Sequence, residues 1–490
     1  MANEHTKDVF SQTLIYGVGL FANKFISFLL IPIYTYFFAP SDMGFYNIAS
    51  SIWLVIAIVY VYGTETSFIK FFTDEKTKDK KSEVYSSTLL MILFSSIVFS
   101  AVIYLLSGTI SGLVRFDNYE SGKKVIKIIS VLLFIDTLNR FPMLLLRAEL
   151  NAKKYLIISL TAVVMNLLFN LLFIVILHKG VESIFYSLIL ADIISFSIGF
   201  AITSEYFKIF FSKETALRLL SFGNKFIFIG IFILFIDVSD RFFLKYFTDE
   251  ATVGIYSTNY RLASAMGLII SAFKFSWTPY FLNIADNPDN KNIISDIFTK
   301  YIFAGALLFL IFGIFTEPLV TMKINGLSLL NEKYYNGTYI IPIIILSYFF
   351  SGLVSNMEVA PFFTNKTYFL LIVTAFGTLV DIAFNLILIP HFQMAGAAWA
   401  TTLSYGFMFI LIYILSQRVY RINYNWFTIL KIAVITTLIY LIYIFIKNNF
   451  AFDPISRIIT GLILIGITFL LFRFLRIADI KSIIRFFIKS

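Results

Sequence analysis

Lys24, Arg140, Arg241, Arg261 and Lys274 each sit inside a stretch of sequence that is otherwise apolar enough to span a bilayer. A cation in hydrocarbon costs roughly 2.5–3.5 kcal/mol on insertion scales, so several of them imply a water-filled or anion-filled place to point. The chemistry that suits them is anion recognition, because phosphate oxygens accept charge-assisted hydrogen bonds from Lys and Arg. Acids accompany them. Asp136 precedes Arg140 by four residues and Asp237 precedes Arg241 by four, the spacing of an intrahelical ion pair. For Asp136 and Arg140 two readings stand, a self-neutralised pair that locks its own bundle and a role in a lumen. Around Asp237 and Arg241, Asp240 and Lys245 need other partners, and that cluster reads as functional. Glu65 and Lys70 share the inner end of one stretch. Asp192, Glu358 and Asp381 are single acids in three others, each either a proton or sodium site or a carboxyl bonded to nearby Ser, Thr or Asn.

The elements that must hold these residues are membrane helices. Of 490 residues, 59% are hydrophobic, 18% aromatic and 14% charged, too little polar surface to cover a soluble globule of this length. The apolar signal divides into about fourteen spans, with limits near 12–38, 45–71, 85–107, 125–146, 156–177, 184–203, 224–247, 254–282, 297–315, 338–360, 368–389, 396–416, 429–447 and 457–476. The first is too long for a signal-peptide core and lacks a cleavage site, so it reads as a retained helix. The net charge of +10 is spread over alternate loops, which argues against a nucleic-acid surface. Placing the N-terminus inside puts Lys76, Lys78, Lys80, Lys81, Arg147, Lys153, Lys154, Lys208, Lys213, Arg218, Arg418 and Arg421 on the cytoplasmic side, as the positive-inside rule expects. An even number of spans then brings both termini to the cytoplasm. The expected protein is multi-pass in a bacterial or archaeal cytoplasmic membrane.

Short connections such as 39–44, 178–183, 248–253 and 391–395 make consecutive spans antiparallel hairpins. An offset of about 210 residues aligns Tyr36-Phe37 with Tyr246-Phe247, Gly44 with Gly254 and Tyr46 with Tyr256. Both copies start on the cytoplasmic side, so the repeat is parallel, and two six-helix lobes follow. The expected division is an N-terminal lobe over 1–204, an amphipathic linker over 205–223 lying as a helix on the inner surface, a C-terminal lobe over 224–416, and two extra helices with a basic tail over 417–490. The first hairpin of each lobe carries most intramembrane charge, which makes those four helices the expected lining of a cavity. Gly17, Gly19, Gly63, Gly223, Gly230, Gly267 and Pro279 interrupt them, through tight packing or as bends. The 28 Tyr and 58 Phe read as lipid-facing and interfacial, not as a substrate box.

No catalytic signature stands out. There is no Walker loop, no cysteine, and no histidine pair at ligand spacing among His5, His178 and His391, so neither ATP hydrolysis nor a metal site nor a cofactor is expected. The longest outer loops, 108–124 and 316–337, are short and poor in paired carboxylates, which argues against a glycosyltransferase or polymerase. Arg115, Asp117, Glu120, Lys123 and Lys124 read as a solvated rim.

The number and parity of spans, the turn FFAPSDMGFYNIA at 37–49, YGTETSFIKFF at 62–72, VGIYSTNYRLA at 253–263 and IPHFQMAGAAWATTLS at 389–404 together resemble the multidrug/oligosaccharidyl-lipid/polysaccharide exporter superfamily, and within it the polysaccharide-biosynthesis flippases. The resemblance implies an all-α fold of two six-helix lobes in a V shape plus two C-terminal helices. It implies outward flipping of undecaprenyl-diphosphate-linked oligosaccharide, by alternating access through a cationic cavity, for O-antigen, capsule or exopolysaccharide export. It further implies coupling to H+ or Na+, a polyprenyl tail left in membrane lipid, and polymerase and chain-length partners. Under this reading Lys24, Arg261 and Lys274 are the expected diphosphate ligands, with Lys70, Arg241 and Arg140 as further cations. Asp237, Asp240, Asp192, Glu65 and Asp381 are the expected ion-coupling acids. A multidrug antiporter and a peptidoglycan lipid II flippase of the same superfamily are the alternatives. The excess of Lys and Arg over acids on the first, second, seventh and eighth spans favours an anionic cargo over cationic drugs.

Overall fold

The computed structural model describes residues 26–450 and 452–474. Lys24, Gly17, Gly19 and the basic tail lie outside the described residues. Within the described residues, every apolar stretch read in the sequence is helical over most of its length. In chain order the helices are α1 (Ile26–Phe37), α2 (Pro40–Val61), α3 (Thr64–Asp74), α4 (Lys78–Leu105), α5 (Ser107–Val114), α6 (Tyr119–Ala148), α7 (Ala152–Asn170), α8 (Ser183–Thr203), α9 (Lys213–Phe247), α10 (Glu250–Asn283), α11 (Asn290–Thr321), α12 (Ile341–Asn356), α13 (Val359–Phe363), α14 (Tyr368–Val419), α15 (Trp426–Asn449) and α16 (Pro454–Phe474). Among the described residues, ten helical segments are long and apolar enough to cross a membrane. One of them, α14, is two helices joined at Gln393, whose φ of 47° and ψ of −121° break the 52-residue run. The protein is an all-helical, multi-pass membrane protein.

Helix starts are set by local polar residues that satisfy the orphan N–H groups of the first turn. Asn118, Ser212 and Asn425 accept from Ser121, Thr215 and Thr428. At Pro40 the ring occupies the first helical position and Asp42 accepts from the Ala39 N–H at 3.0 Å. The span read as 45–71 is not one helix. Tyr62 and Gly63 take left-handed φ values of 33° and 76° and divide it into α2 and α3. Gly63 is required there twice over: a side chain would be strained at that φ, and a β-carbon would lie 2.1 Å from the Gly223 carbonyl oxygen on α9.

The chain forms two compact units, Met1–Ser257 and Thr258–Ser490. In the first, α6 is the hub, packing against α2, α3, α4, α5, α7 and α8, while α9 packs on α2, α3 and α4. Phe68, Phe72, Tyr85, Phe141 and Leu219 are fully buried in its inner core. The residues that the 210-residue offset equates also meet here. A β-carbon on Gly44 would stand 1.7 Å from the Glu250 carbonyl oxygen, and one on Gly254 would stand 1.9 Å from the Pro40 carbonyl oxygen. The helix openings of α2 and α10 therefore cross backbone to backbone at equivalent positions. In the second unit α12 packs on α14, and α11 packs on α12, α15 and α16. Glu317 of α11 pairs with Lys447 at the end of α15 and, at 3.2 Å, with Arg457 of α16, which ties the last two helices to the unit.

The expected amphipathic helix over 205–223 is not formed. Ser204–Tyr206 is a short 3-10 turn, 207–212 is irregular, and Lys213 opens α9, which runs unbroken to Phe247. The reason lies in where the backbone bonds go. Ser86 of α4 accepts from the Lys208 N–H at 2.8 Å and Ser87 from the Ser212 N–H at 3.0 Å, so the connector is pinned to α4 and not free to coil.

Candidate functional site

One group of charged residues in the first unit gathers on α3, α6 and α8. Arg140 donates through Nη2 and Nε to Asp136 Oδ2 at 2.9 and 3.3 Å, and through Nη1 to Glu65 Oε1 at 3.0 Å. Asn139, one position earlier on α6, donates through Nδ2 to Asp192 Oδ1 of α8 at 3.1 Å. Asp192 in turn interacts electrostatically with Asp136 and Arg140. The acid spacing in the sequence identifies the Asp136–Arg140 pair, but Glu65 and Asp192 join it only through the packing of three helices. Among the described residues three carboxylates surround one guanidinium, which bonds two of them, so this is an acid-rich site. A diphosphate ligand role for Arg140 does not fit that arrangement, since the set already carries excess negative charge. The Asn139 Oδ1 is buried and has no hydrogen-bond partner among the described residues.

The cluster expected around Asp237 is ordered differently from the i, i+4 reading. Arg241 bonds the Asp237 carbonyl oxygen and the Asp240 carboxylate, the latter at 3.2 Å. Asp240 is buried and also accepts from the Tyr256 hydroxyl at 2.7 Å and the Arg241 N–H at 2.8 Å. A carboxylate this well supplied with donors, on the helix pair α9 and α10, is placed for structure. Asp237 is half-buried one turn before Arg241. Lys245 pairs with Asp117 and, at 3.5 Å, with Glu250, while the Asp117 N–H donates to Glu250 at 2.9 Å. Asp117 keeps 59% of its side chain exposed, as expected of a solvated rim, and it also joins a latch between the loop before α6 and the α9–α10 turn. Lys124 pairs with Glu182, and Arg115 lies 5.3 Å over the Tyr246 ring.

Lys70 is exposed on α3 and also meets aromatic faces. Its ammonium lies 4.2 Å over the Phe222 ring, and Arg218 lies 4.1 Å over Phe71, a reciprocal cation–π exchange between α3 and α9.

In the second unit Arg261 is half-buried on α10. Lys274, on the same helix, donates to Ser351 at 2.9 Å and interacts electrostatically with Glu358, so two of its partners come from the α12–α13 region. The sequence shows no acid four residues from Lys274, and the cross-helix partners are invisible at that level. Thirteen residues separate the two cations, about 20 Å along an ideal helix and about 220° around it. One diphosphate cannot touch both. Asp381 of α14 is fully buried, and Asn385 one turn on donates to it at 2.9 Å, with Asn385 Oδ1 buried and without a hydrogen-bond partner among the described residues. Among the described residues no three His, Asp or Glu side chains converge as metal ligands.

With this geometry in place, comparison with known proteins locates the chain. Among curated proteins no match is found. Solved structures share the fold at low identity. A lipid II flippase MurJ in an inward closed conformation superposes with a TM-score of 0.76 at 15% identity, covering 94% of this chain and 99% of that one. An inward-facing multidrug resistance MATE family transporter of the MOP superfamily gives 0.63 at 13% identity, covering 81% and 95%. A mutant of the Vibrio cholerae MATE transporter VcmN gives 0.55 at 15% identity, covering 85% and 97%. Residues 33–292 match the family model described as polysaccharide biosynthesis protein, more than half of the chain, and the chain belongs to that family, with the fold that these MurJ and MATE structures share.

Proposed function

We propose that this protein flips undecaprenyl-diphosphate-linked oligosaccharide repeat units from the inner to the outer leaflet of the cytoplasmic membrane, for O-antigen, capsule or exopolysaccharide export, driven by an H+ or Na+ gradient. The observation that carries the reading is the match of residues 33–292 to a polysaccharide-biosynthesis family on a transporter fold. The physical case is that a diphosphate cannot cross hydrocarbon without cations to meet it. Arg261 is the described residue assigned to that task, through the fork geometry that suits phosphate. Lys24, outside the described residues, is assigned with it on its place in the first span. Lys274 is a second station, about 20 Å further along α10.

Coupling is assigned to the acid-rich site of Glu65, Asp136 and Asp192. Its three carboxylates against Arg140 leave a deficit that a proton fills, and a protonated carboxyl would also supply the donor that the buried Asn139 oxygen lacks. A proton suits this site better than sodium because Arg140 already occupies Glu65 and Asp136. Asp381 with Asn385 is the corresponding assignment in the second unit.

The test replaces Lys24 and Arg261 by Gln and follows surface polysaccharide together with its lipid-linked precursor. Loss of the polymer with precursor accumulating on the inner leaflet is expected, and undiminished export by the double variant would overturn the assignment. A lipid II flippase is the second reading, favoured by the backbone likeness to MurJ over 94% of the chain. Accumulation of peptidoglycan precursor in place of the polysaccharide precursor would establish it.

A further inference from the structure

Residues 420–425, which join α14 to α15, border a recess of about 590 Å³ whose lining includes Tyr413, Gln417, Arg418, Arg421, Tyr424 and Trp426. The connector has no regular secondary structure yet is held firmly. Gln417 donates through Nε2 to the Ile422 carbonyl at 2.8 Å and accepts the Ile422 N–H through Oε1 at 3.1 Å, the two bonds a neighbouring strand would supply. Ser295 of α11 donates to the Asn423 carbonyl at 2.8 Å, and the Tyr420 hydroxyl donates to Asn290 at 2.6 Å. Ile422 is buried, and the Tyr424 ring packs 4.7 Å from Phe298. Trp426 stands edge-on to Tyr413 at 5.3 Å. The recess is therefore preformed. Arg418 and Arg421 are exposed on it, and neither joins an ion pair among the described residues.

Two guanidiniums without acids, beside Tyr and Trp rings at the end of a membrane helix, form a phosphate site at headgroup depth. We infer that this recess binds the phosphate of an anionic phospholipid of the inner leaflet, with Arg418 and Arg421 on the phosphate oxygens and Tyr413, Tyr424 and Trp426 along the glycerol and upper acyl chain. The inference rests on the cytoplasmic orientation of this end of α14 and uses none of the residues assigned to transport. The aromatic wall favours a lipid over a free anion, because rings with one apolar and one polar edge sit at the water–membrane boundary.

The test uses the full-length protein in mixed micelles containing phosphatidylglycerol or phosphatidylethanolamine, with retained lipid read by native mass spectrometry. Wild type is expected to retain phosphatidylglycerol about tenfold over phosphatidylethanolamine, the effect of one charge-assisted contact. R418Q/R421Q should lose the preference, and R418K/R421K, which keeps charge without the fork, should keep part of it. Phosphatidylglycerol with brominated acyl chains should quench Trp426, read as the difference between wild type and Trp426→Phe. Equal retention of the two lipids, or a preference unchanged in R418Q/R421Q, overturns the inference. Displacement of the lipid by inorganic phosphate would make this a free-anion site, and stoichiometric displacement by polyprenyl diphosphate would make it a substrate station; either result also overturns it. Binding is read without transport, so its failure is separate from failure of the flippase reading.

Discussion

Arg140→Gln removes the one cation that the described residues place in the site of Glu65, Asp136 and Asp192. It deletes three hydrogen bonds, two to Asp136 and one to Glu65, and leaves three carboxylates with no guanidinium between them. Deleting one partner of a buried ion pair costs about 3–5 kcal/mol. Here Arg140 keeps 35% and Glu65 38% of side-chain area exposed, so solvent screens part of that, and about 1–3 kcal/mol is expected. The same reasoning predicts rescue. Adding Glu65→Gln removes one of the stranded carboxylates, so E65Q/R140Q should be more stable than R140Q alone, with a coupling energy of about 0.5–3 kcal/mol across the cycle. The measurement is the loss of monodisperse protein on heating, followed by fluorescence-detected size exclusion for wild type, both single variants and the double variant. Wild-type behaviour of R140Q, or strictly additive losses in the double variant, would refute the view that Arg140 is there to offset carboxylates.

Other outcomes follow from the same contacts. Asp192→Asn should leave folding intact and make export insensitive to dissipating the proton gradient; a gradient response equal to wild type would move coupling to another site. Arg261→Gln should lower flipping about 10–100-fold, the range of a lost charge-assisted bond, with Arg261→Lys losing less, and equal rates for the two variants would show that charge is irrelevant there. Gly254→Val places a side chain against the Pro40 carbonyl and should abolish folded yield, whereas the same change at Gly230, with no atom of the described residues within 4 Å of its β-position, should be tolerated; equal yields would exclude the α2–α10 crossing as a constraint.

The helices are legible in the sequence because a bilayer demands long apolar runs, and within the described residues those runs are helical. Ion partners are legible only where they share a helix. Asp136 announces itself to Arg140 by its spacing of four residues, but Glu65 lies 75 residues from Arg140 and Glu358 lies far along the chain from Lys274. Neither distance in sequence carries a signal until helix packing is known. Asn139 gives no sign at all, because a buried amide is defined by what faces it. The connector 205–212 misleads for a related reason: its mixture of Phe and Lys has the composition of a surface helix, while its conformation is dictated by two serines more than 100 residues away. Lys70 is exposed, as its charge predicts, but the aromatic faces of Phe222 and Phe71 that it also meets carry no signal in the sequence.

The reciprocal crossing of Gly44 with Gly254 bears on how the protein is made. The first compact unit closes only when residues roughly 130–210 positions downstream have been synthesised and inserted, since Gly63 meets Gly223, Asp117 meets Lys245 and Gly44 meets Glu250. During translation the first six spans must therefore wait in the membrane with these faces uncovered, and loop closure over such a length is slow. A chain stopped after residue 204 would lack α9 and the first turns of α10, and with them the partners of Gly63, Asp117 and Gly44.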